Sequence, residues 1–529
     1  MSGKADDAPR SNRMRDAYLI GLDYGSESAR GVLIDVSTSQ QVAYHVHPYR
    51  HGIMTEALPN GRPLPGAGLA LQNAADYLEA AASILTTIAE GREVVGIGID
   101  FTASSPLPAL ADGRALSEVA PDDLHAYVKL WKHAGAQRYA DMINSGGGPF
   151  LANFGGKVSG EWMLAKAAQI AAEAPAVWRC ADKFIEAGDW LVWRLTGREV
   201  RSLDFAAYKA QYAAGAGYPK NIADGLTAKL TEPQPVGSPA GSLSEEWRRR
   251  TGIKGEAIVA VAAIDSHVAL PAVGAYGPGV LVGALGTSAA YLLLDDADRE
   301  MPAGIEGRAH GAALPGLWCY EAGQAAFGDV LAWFVKTFPR SNDIAENFAL
   351  YNRDAAALAP GQNALLAIDW WNGNRVPYAD KALRGLIAGF DMSTTAADIY
   401  RALMDSICFG ARSIIDRFRC GGVPVERIVL TSGLAKSNPL LLTVMADVLG
   451  QTAHVPDIDN PTCVGAAIHG AVGAGVVADF RQGAERFGAR QFNAYRPNAK
   501  RRAAYQKIYQ LYSQLSSDDK VRKSVRAND

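Results

Sequence analysis

Residues 18–36 read YLIGLDYGSESARGVLIDV, two apolar runs joined by a short polar turn. Alternating β-branched and apolar residues on both sides of the turn predict a β-hairpin with Gly25, Ser26 and Ser28 at its tip. Backbone N–H groups and hydroxyls at such a tip suit a phosphate, and Asp23 at its base suits a hydrated Mg²⁺. The stretch therefore indicates nucleotide chemistry, although an ordinary surface hairpin explains the same residues about equally well.

The composition is that of a multidomain protein with small-molecule partners. The 529 residues suffice for about two to four domains, and a hydrophobic share of 48% is ample for sizeable cores. Because 52 basic residues nearly balance 55 acidic ones, the net charge of −3 creates no field that would attract nucleic acid or an anionic membrane. We therefore expect a small-molecule substrate, no nucleic acid and no membrane partner.

The cysteines and the apolar segments indicate the cellular setting. Five cysteines are scattered without C-x-x-C spacing, so we expect a reducing cytoplasm and neither a disulfide framework nor a zinc site. Residues 1–16 are charged and lack an apolar core, which predicts a disordered leader and not a signal peptide. The longest uncharged stretch, Val268–Leu294, is interrupted by Pro271 and Pro278, so it cannot form a lipid-facing helix.

Strand-like and helical segments alternate along the first half of the chain, which is typical of an α/β protein. Apolar residues at helical spacing predict a helix over Leu71–Gly91. The segment EVVGIGIDF then predicts a buried strand that runs into a loop at Asp100.

The middle of the chain repeats the pattern of the opening hairpin. Within 257–294 an apolar strand stops at Asp265, and two later apolar runs flank Gly286, Thr287 and Ser288. Two such tips predict a duplicated α/β domain with one phosphate-binding hairpin in each copy, a hypothesis that the degenerate repeat does not prove. We place an N-terminal domain at 17–267, a C-terminal domain at 268–515 and a charged tail at 516–529.

Candidate groups for phosphoryl transfer are present in both halves. Such a transfer needs a phosphate cradle, a metal and a carboxylate that takes a proton from the acceptor hydroxyl. Asp265 is the best candidate for the base because it ends an apolar strand, where side chains enter the crevice at the edge of a sheet. From the local sequence alone, a helix N-cap explains Asp265 somewhat better. His267 shows no partner and is left outside the catalytic set.

Nucleotide and sugar contacts are less distinctive. Gly433 lies at a strand-to-helix turn in TSGLAKSNP, where the missing side chain lets adenine or ribose approach, although a simple turn is an equally good explanation. Lys209, Glu321 and the loop at Asp100 could hydrogen-bond a polar sugar, but each charge alone is typical of a solvated surface. The motif G-x-x-x-x-G-K-[ST] does not occur, which argues against a Walker-type NTPase.

An ordered set of motifs resembles the FGGY carbohydrate kinases, and within that family the ribulokinase branch. The set includes GLDYGSESAR, GIGIDFTASSPLP, VKLWKHAGAQ, AAIDSHVALPAVGA, GALGTSAAY, YEAGQAAFGDVLAWFV and TSGLAKSNPLL, and it extends from about Tyr18 to about Gly475. LWKH near Trp131 and EAGQ near Glu321 favour the ribulokinase branch over glycerol and xylulose kinases.

The resemblance implies a fold and a reaction. The fold would be α/β, with two actin-like (ribonuclease H-like) domains and the active site in the cleft between them. ATP and Mg²⁺ would serve in the transfer of the γ-phosphoryl group to the terminal hydroxyl of a ketopentose, foremost L-ribulose to L-ribulose 5-phosphate in arabinose catabolism. Other FGGY substrates, such as D-ribulose, xylulose or ribitol, remain alternatives. A homodimer is a possible assembly. A non-kinase actin-like ATPase is the alternative of a different class.

The resemblance also implies roles for individual residues. Asp265 would be the catalytic base, and Asp23 would hold Mg²⁺ through water. The residues implied to contact the sugar are Ala103, Lys209, Asp265 and Glu321. Those expected at ATP and its phosphates are Gly25, Ser26, Ser28, Gly286, Thr287, Ser288, Gly433 and Ala435.

Overall fold

The computed structural model describes residues 16–66, 68–301, 304–362 and 364–527, so the leader expected at 1–16 lies outside the described residues except for Asp16. The strands are β1 Ala17–Tyr24, β2 Ser28–Asp35, β3 Gln41–Pro48, β4 Leu71–Gln72, β5 Glu93–Phe101, β6 Pro106–Ala109, β7 Val128–Lys129, β8 Lys183–Glu186, β9 Arg201–Ser202, β10 Pro233–Gln234, β11 Pro239–Ser242, β12 Ile258–Ala260, β13 Ala263–Ile264, β14 Val280–Leu285, β15 Ala289–Asp295, β16 Gly307–His310, β17 Trp318–Gln324, β18 Leu366–Ile368, β19 Leu386–Ala388, β20 Arg427–Thr431, β21 Ala453–Pro456 and β22 Phe492–Tyr495.

The α-helices are α1 Ala74–Ala89, α2 Gln137–Gly146, α3 Met163–Glu173, α4 Pro175–Cys180, α5 Ala187–Thr196, α6 Leu203–Ala210, α7 Glu245–Thr251, α8 Asp265–Ala272, α9 Gly328–Thr337, α10 Ile344–Ala356, α11 Ala396–Cys420, α12 Gly433–Ser437, α13 Pro439–Leu449, α14 Pro461–Gly473, α15 Phe480–Phe487, α16 Ala499–Ser517 and α17 Asp519–Ser524. Short 3₁₀ helices cover Leu116–Glu118, Leu124–Ala126, Pro149–Phe154 and Leu226–Lys229.

The chain divides into two compact units, each assembled from separate segments. Unit 1 consists of the described residues within Met1–Tyr276, Ala309–Leu317 and Ile458–Ala489. Unit 2 consists of those within Gly277–Arg308, Trp318–Asp457 and Arg490–Asp529. The contiguous division that we drew at 267/268 differs from this one, because α14 and α15 return to the first unit.

Each unit is built on a mixed sheet, and the two sheets share a strand order. The order is β3-β2-β1-β5-β12-β11 in unit 1, where β13 also pairs with β5, and β17-β15-β14-β20-β21-β22 in unit 2, where β16 flanks β17. In both sheets an antiparallel three-stranded meander is followed by two parallel pairings and a final antiparallel strand. The predicted α/β class and the duplication of the hairpin domain are confirmed.

A helix from late in the chain covers the centre of the sheet in unit 1. α14 lies on β1 and β5 where these strands carry glycine: a Cβ on Gly21 would stand 1.7 Å from the carbonyl oxygen of Cys463. A Cβ on Gly98 would stand 1.7 Å from the carbonyl oxygen of Ala466. Because no side chain fits between these backbones, the close approach requires glycine at both strand positions.

Local signals account for the remaining predicted elements. The helix expected over Leu71–Gly91 is α1, which begins later because the Asn73 side chain accepts a hydrogen bond from Ala75 N–H and caps it. The described part of the charged tail, residues 516–527, starts in the last turn of α16 and continues as α17. None of the described helices has the length and apolar composition needed to span a membrane.

Candidate active site

The first hairpin holds its tip in an anchored turn. Gly25 N–H donates to the Ser28 carbonyl at 3.1 Å. Ser26 is fixed from two sides, because its carbonyl accepts a hydrogen bond from Gln72 Nε2 at 2.7 Å and its hydroxyl accepts one from Trp131 Nε1 at 2.9 Å. A turn held in this way presents fixed donors to an anion, so little conformational freedom is lost on binding. Sequence reasoning missed both anchors, although the LWKH motif contains one of them.

Three carboxylates approach one another at the ends of neighbouring strands. Asp23 and Asp100 are partners in the parallel β1–β5 register, and Asp265 begins α8 directly after β13, which also pairs with β5. Asp100 is fully buried, and within the described part of the chain neither of its carboxylate oxygens has a hydrogen-bond partner. Burial, followed by the charges of Asp23 and Asp265, raises the pKa of Asp100 well above its usual range.

Burial and neighbouring charges also shift the pKa of Asp265. Burial raises its pKa to about 6, and the charge of Asp23 acts in the same direction. A hydrogen bond from Ser266 N–H at 2.7 Å and the charge of Lys209 act in the opposite direction. The N-cap of α8 is Ile264, so Asp265 occupies the first helical position and its side chain remains partly exposed. Such a carboxylate is mostly ionised at neutral pH, and it is a stronger base than an ordinary aspartate.

A buried pair ties the start of α8 to α6, the helix that carries Lys209. Asp204 Oδ1 lies 2.6 Å from His267 Nδ1, and Asp204 Oδ2 accepts a hydrogen bond from Ile264 N–H at 2.9 Å. Both side chains are fully buried. The contact with Asp204 gives His267 a structural function, because it fixes the backbone from which Asp265 projects.

Lys209 is largely buried, and its ammonium has no hydrogen-bond acceptor among the described residues. The residue is 8% exposed, and its Nζ lies 6.0 Å from the centre of the Trp162 ring. Among the described residues, no side chain or carbonyl accepts a hydrogen bond from this ammonium. Because an ammonium carries three donors and is costly to bury without acceptors, Lys209 is suited to bind ligand hydroxyls.

Ala103 is the partly exposed residue of the loop between β5 and β6. The next two residues, Ser104 and Ser105, are buried and hydrogen-bond to Glu186. The loop follows β5, which pairs with β13 just before Asp265, so both segments leave the same end of the sheet.

The carboxylate cluster fits a hydrated divalent cation. Buried oxygens without partners on Asp100, next to Asp23, are the kind of acceptor that a hydrated Mg²⁺ satisfies. In the described ranges no three His, Cys, Asp or Glu side chains are arranged to hold a metal directly. Asp23 also accepts a hydrogen bond from the Thr462 hydroxyl and lies 3.5 Å from Arg30 Nε.

The second hairpin rests on the start of α9 in unit 2. Gly286 N–H donates to the Ser288 carbonyl at 2.9 Å, and Phe327 N–H donates to the Thr287 carbonyl at 2.8 Å. The close approach requires glycine at position 328, because a Cβ on Gly328 would stand 2.7 Å from the Gly286 carbonyl oxygen. All three tip residues are exposed, as a phosphate loop requires.

The turn after β20 lies beside this hairpin because β14 and β20 are parallel neighbours. The Ser432 hydroxyl donates a hydrogen bond to the Leu285 carbonyl and fixes the turn. A Cβ on Gly433 would meet no atom within 4 Å, so the space in front of this residue is open. Ala435 is 1% exposed and packs in the core, so its side chain offers no surface to a ligand.

Glu321 lies in β17 opposite Leu292 of β15 and is partly exposed. Its neighbours Tyr320 and Ala322 are fully buried, so strand alternation places Glu321 on the other face of the sheet. The structure thus distributes the predicted sugar residues over both units, with Ala103, Lys209 and Asp265 in unit 1 and Glu321 in unit 2.

Comparisons with known proteins support the assignment suggested by these motifs. Residues 281–474 match the FGGY family of carbohydrate kinases, C-terminal domain. The ribulokinase of Halalkalibacterium halodurans is 39% identical over 534 residues, and the match covers 95% of each chain. The ribulokinase of Mycolicibacterium smegmatis is 37% identical over 529 residues, covering 94% of this chain and 93% of that relative.

Solved structures of lower identity share the fold. A xylulose kinase from Rhodospirillum rubrum superposes with a TM-score of 0.81 at 20% identity, covering 94% of this chain and 98% of the other. The Plasmodium falciparum glycerol kinase with ADP gives a TM-score of 0.77 at 12% identity, covering 95% and 99%. These likenesses confirm the predicted two-domain fold. Together with the full-length identity to the curated relatives, they show that this chain belongs to the FGGY family of carbohydrate kinases.

Proposed function

We propose that this chain transfers the γ-phosphoryl group of ATP to the terminal hydroxyl of ribulose, converting L-ribulose to L-ribulose 5-phosphate. The observation that carries the proposal is a basic carboxylate, Asp265, within the electrostatic reach of Lys209, an ammonium that the described protein leaves without an acceptor. A phosphoryl acceptor needs a base and a sugar needs fixed donors, whereas a non-kinase actin-like ATPase needs neither. Relatives named ribulokinase, at 37–39% identity over nearly their whole length, support ribulose as the sugar.

Asp265 acts as the general base in this proposal. The acceptor oxygen attacks the γ-phosphorus, the bond from that phosphorus to the bridging oxygen of ADP breaks, and the hydroxyl proton passes to the Asp265 carboxylate. A pKa of about 6 keeps the carboxylate ionised at neutral pH and makes it a better proton acceptor than an unperturbed aspartate.

The two hairpins and the turn after β20 hold the nucleotide. The residues assigned to ATP and its phosphates are Gly25, Ser26, Ser28, Gly286, Thr287, Ser288 and Gly433. Asp23 holds Mg²⁺ through water, and the bound ion neutralises charge on the phosphates. Ala435 contributes through the backbone of α12, since its side chain is buried.

Ala103, Lys209 and Glu321 hold the sugar. Lys209 donates to sugar hydroxyls, Glu321 accepts from them, and the small Ala103 side chain leaves room for the ring or chain carbons. Charge-assisted hydrogen bonds of this kind fix the orientation of the reacting hydroxyl and contribute to the affinity for the sugar.

We also propose that the protein works in a reducing cytoplasm and forms a homodimer. Five cysteines without a disulfide favour the reducing compartment. Sedimentation velocity would test the dimer, and a single species at the mass of one chain would contradict it.

The test of the proposed function is ADP release across a panel of L-ribulose, D-ribulose, D-xylulose, ribitol and glycerol with ATP and Mg²⁺. We expect L-ribulose to give the highest kcat/KM, EDTA to abolish turnover, and ³¹P NMR to show the phosphate coupled to the C5 protons of the product. A preference for another pentulose or a polyol would contradict ribulose as the substrate. It would leave the assignment as a carbohydrate kinase intact. ADP release that no sugar accelerates would contradict the kinase itself.

A further inference from the structure

Lys166 is fully buried in α3, and the backbone satisfies its ammonium completely. Its Nζ donates to the Ser104 carbonyl at 2.7 Å, to the Leu130 carbonyl at 2.9 Å and to the Lys129 carbonyl at 3.2 Å. An ammonium has three N–H donors, so these three carbonyls use all of them. Lys166 therefore joins α3 to β7 and to the loop that carries Ala103.

Glu186 holds the same loop from another element. It ends β8, is 2% exposed, and lies opposite Pro106 in the β6–β8 pairing. Its Oε1 accepts a hydrogen bond from the Ser104 hydroxyl at 2.5 Å, and its Oε2 accepts one from Ser105 N–H at 2.7 Å. Ser104 is thus held through its carbonyl by Lys166 and through its hydroxyl by Glu186.

These charges are costly to bury, and packing alone does not require them. Replacing buried ionic groups with apolar side chains of similar size is often neutral or stabilising. Burial lowers the pKa of Lys166 to about 7 and raises that of Glu186. The charge of Lys209 also acts on Glu186, so the group that holds the loop and the lysine assigned to the sugar share one electrostatic environment.

We infer that Lys166 and Glu186 are positioning residues that fix the Ala103–Ser105 loop and thereby set the affinity and selectivity of this kinase for its sugar. The inference rests on the proposed function in one respect, namely that the loop and Lys209 contact the sugar. Neither side chain is exposed enough to reach a ligand. Both act through the loop backbone, and Glu186 also acts through its field on Lys209.

Two variants and two matched controls test the inference. Lys166→Met keeps the length of the side chain and removes its three donors, and Glu186→Gln keeps the shape and removes one acceptor. Lys220→Met, on an exposed lysine between α6 and β10, and Glu79→Gln, on an exposed glutamate of α1, make the same chemical changes elsewhere in unit 1. We expect KM for the sugar to rise about tenfold in the two test variants, with KM for ATP within about twofold, because only a sugar contact is displaced. The controls should match the wild type.

Ser104→Ala deletes the hydroxyl bonded to Glu186 with a minimal change in volume, so it keeps the test open should Lys166→Met fail to fold. We expect KM for the sugar to rise about threefold in this variant. In the Ser104→Ala background, Glu186→Gln should have a smaller effect than in the wild type, because the hydrogen bond between the Ser104 hydroxyl and Glu186 is already lost. Fully additive effects would show that Glu186 does not act through the Ser104 hydroxyl.

The sugar used is whichever member of the panel the wild type phosphorylates best, and its binding is also measured by calorimetry. A wild type that prefers a polyol therefore contradicts ribulose as the substrate without affecting this test. If no turnover is found, sugar binding by calorimetry replaces the kinetic measurement. Equal rises in KM for sugar and ATP, a fall in kcat alone, sugar binding as tight as in the wild type, or variants that match their controls would overturn the inference.

Discussion

Asp23 and Asp100 occupy partner positions on adjacent parallel strands, so two carboxylates lie side by side in the interior of unit 1. Two neighbouring carboxylates do not both ionise without cost, which is one reason why the pKa of Asp100 is raised. A proton or a hydrated cation relieves that repulsion. Because the charge of Asp23 also raises the pKa of Asp265, a cation held at Asp23 would favour the ionised form of the base.

Asp265→Asn should remove most turnover and leave substrate binding largely intact. The change deletes the proton acceptor with little change in volume, and loss of a general base typically lowers the rate about 10²–10⁴-fold. The measurements are kcat with the best sugar and calorimetric binding of sugar and ATP. A variant that keeps more than about a third of wild-type kcat would contradict the role of Asp265, given the size of general-base effects.

The same substitution should stabilise the protein at pH 8 in the absence of Mg²⁺ and nucleotide. Folding raises the pKa of Asp265 to about 6, so the stability that the protonated carboxyl contributes is lost as the pH rises through that value. Asparagine cannot ionise, so we expect the free energy of unfolding to increase by about 1–2 kcal/mol at pH 8. The gain should vanish near pH 4. Urea titrations of wild type and variant at both pH values measure it, and an equal difference at the two pH values would contradict the assigned shift.

Trp131→Phe should weaken ATP binding and spare the sugar. The change removes the donor that fixes the Ser26 hydroxyl and keeps an aromatic ring, so one hydrogen bond worth about 0.5–1.5 kcal/mol is lost. KM for ATP should rise about two- to tenfold. Trp333→Phe, on a tryptophan that is 44% exposed, is the control. An unchanged KM for ATP would show that the anchor does not matter for the phosphates.

Two glycine-to-alanine changes should have opposite effects. In Gly98→Ala the new Cβ would lie 1.7 Å from the Ala466 carbonyl oxygen, so we expect a loss of several kcal/mol in stability. In Gly433→Ala the Cβ meets nothing within 4 Å, so the melting temperature should be unchanged while KM for ATP rises. Thermal melts and ATP kinetics separate the two. A Gly433→Ala enzyme with normal ATP kinetics would remove this turn from the nucleotide site.

Lys209→Met and Glu321→Gln should each lower kcat/KM for the sugar by roughly tenfold to more than a hundredfold. A hydrogen bond to a charged group that is desolvated on binding is worth about 1.5–3 kcal/mol. KM for ATP should change far less. Folding is checked by thermal melts, and sugar kinetics that are untouched in both variants would contradict the assigned sugar contacts.

Local patterns predicted the parts of the site that lie close together in sequence. Alternating apolar residues around Gly25 and around Gly286 predicted both hairpins, and the apolar strand before Asp265 predicted where that carboxylate emerges. These features depend on a few consecutive residues, so the sequence carries them directly.

The remaining parts of the site depend on contacts between distant residues, which no local pattern reveals. Thr462 hydrogen-bonds to Asp23 across 439 positions of the chain, and Trp131 reaches Ser26 across 105. Lys166 is an ordinary helical lysine by sequence, and only the fold shows that three carbonyls surround it. The division into compact units differs from the contiguous boundary at 267/268 for the same reason, because α14 returns to the first unit.

The late position of α14 has a consequence for biosynthesis. The glycine-lined face of β1 and β5 emerges early from the ribosome, but the helix that covers it, Pro461–Gly473, is translated only after most of unit 2. During that interval the nascent first unit exposes an uncovered sheet face, which is the kind of surface that promotes aggregation and chaperone binding. Completion of its core is therefore a post-translational or very late co-translational event, and the N-terminal 276 residues expressed alone would not form a self-sufficient domain.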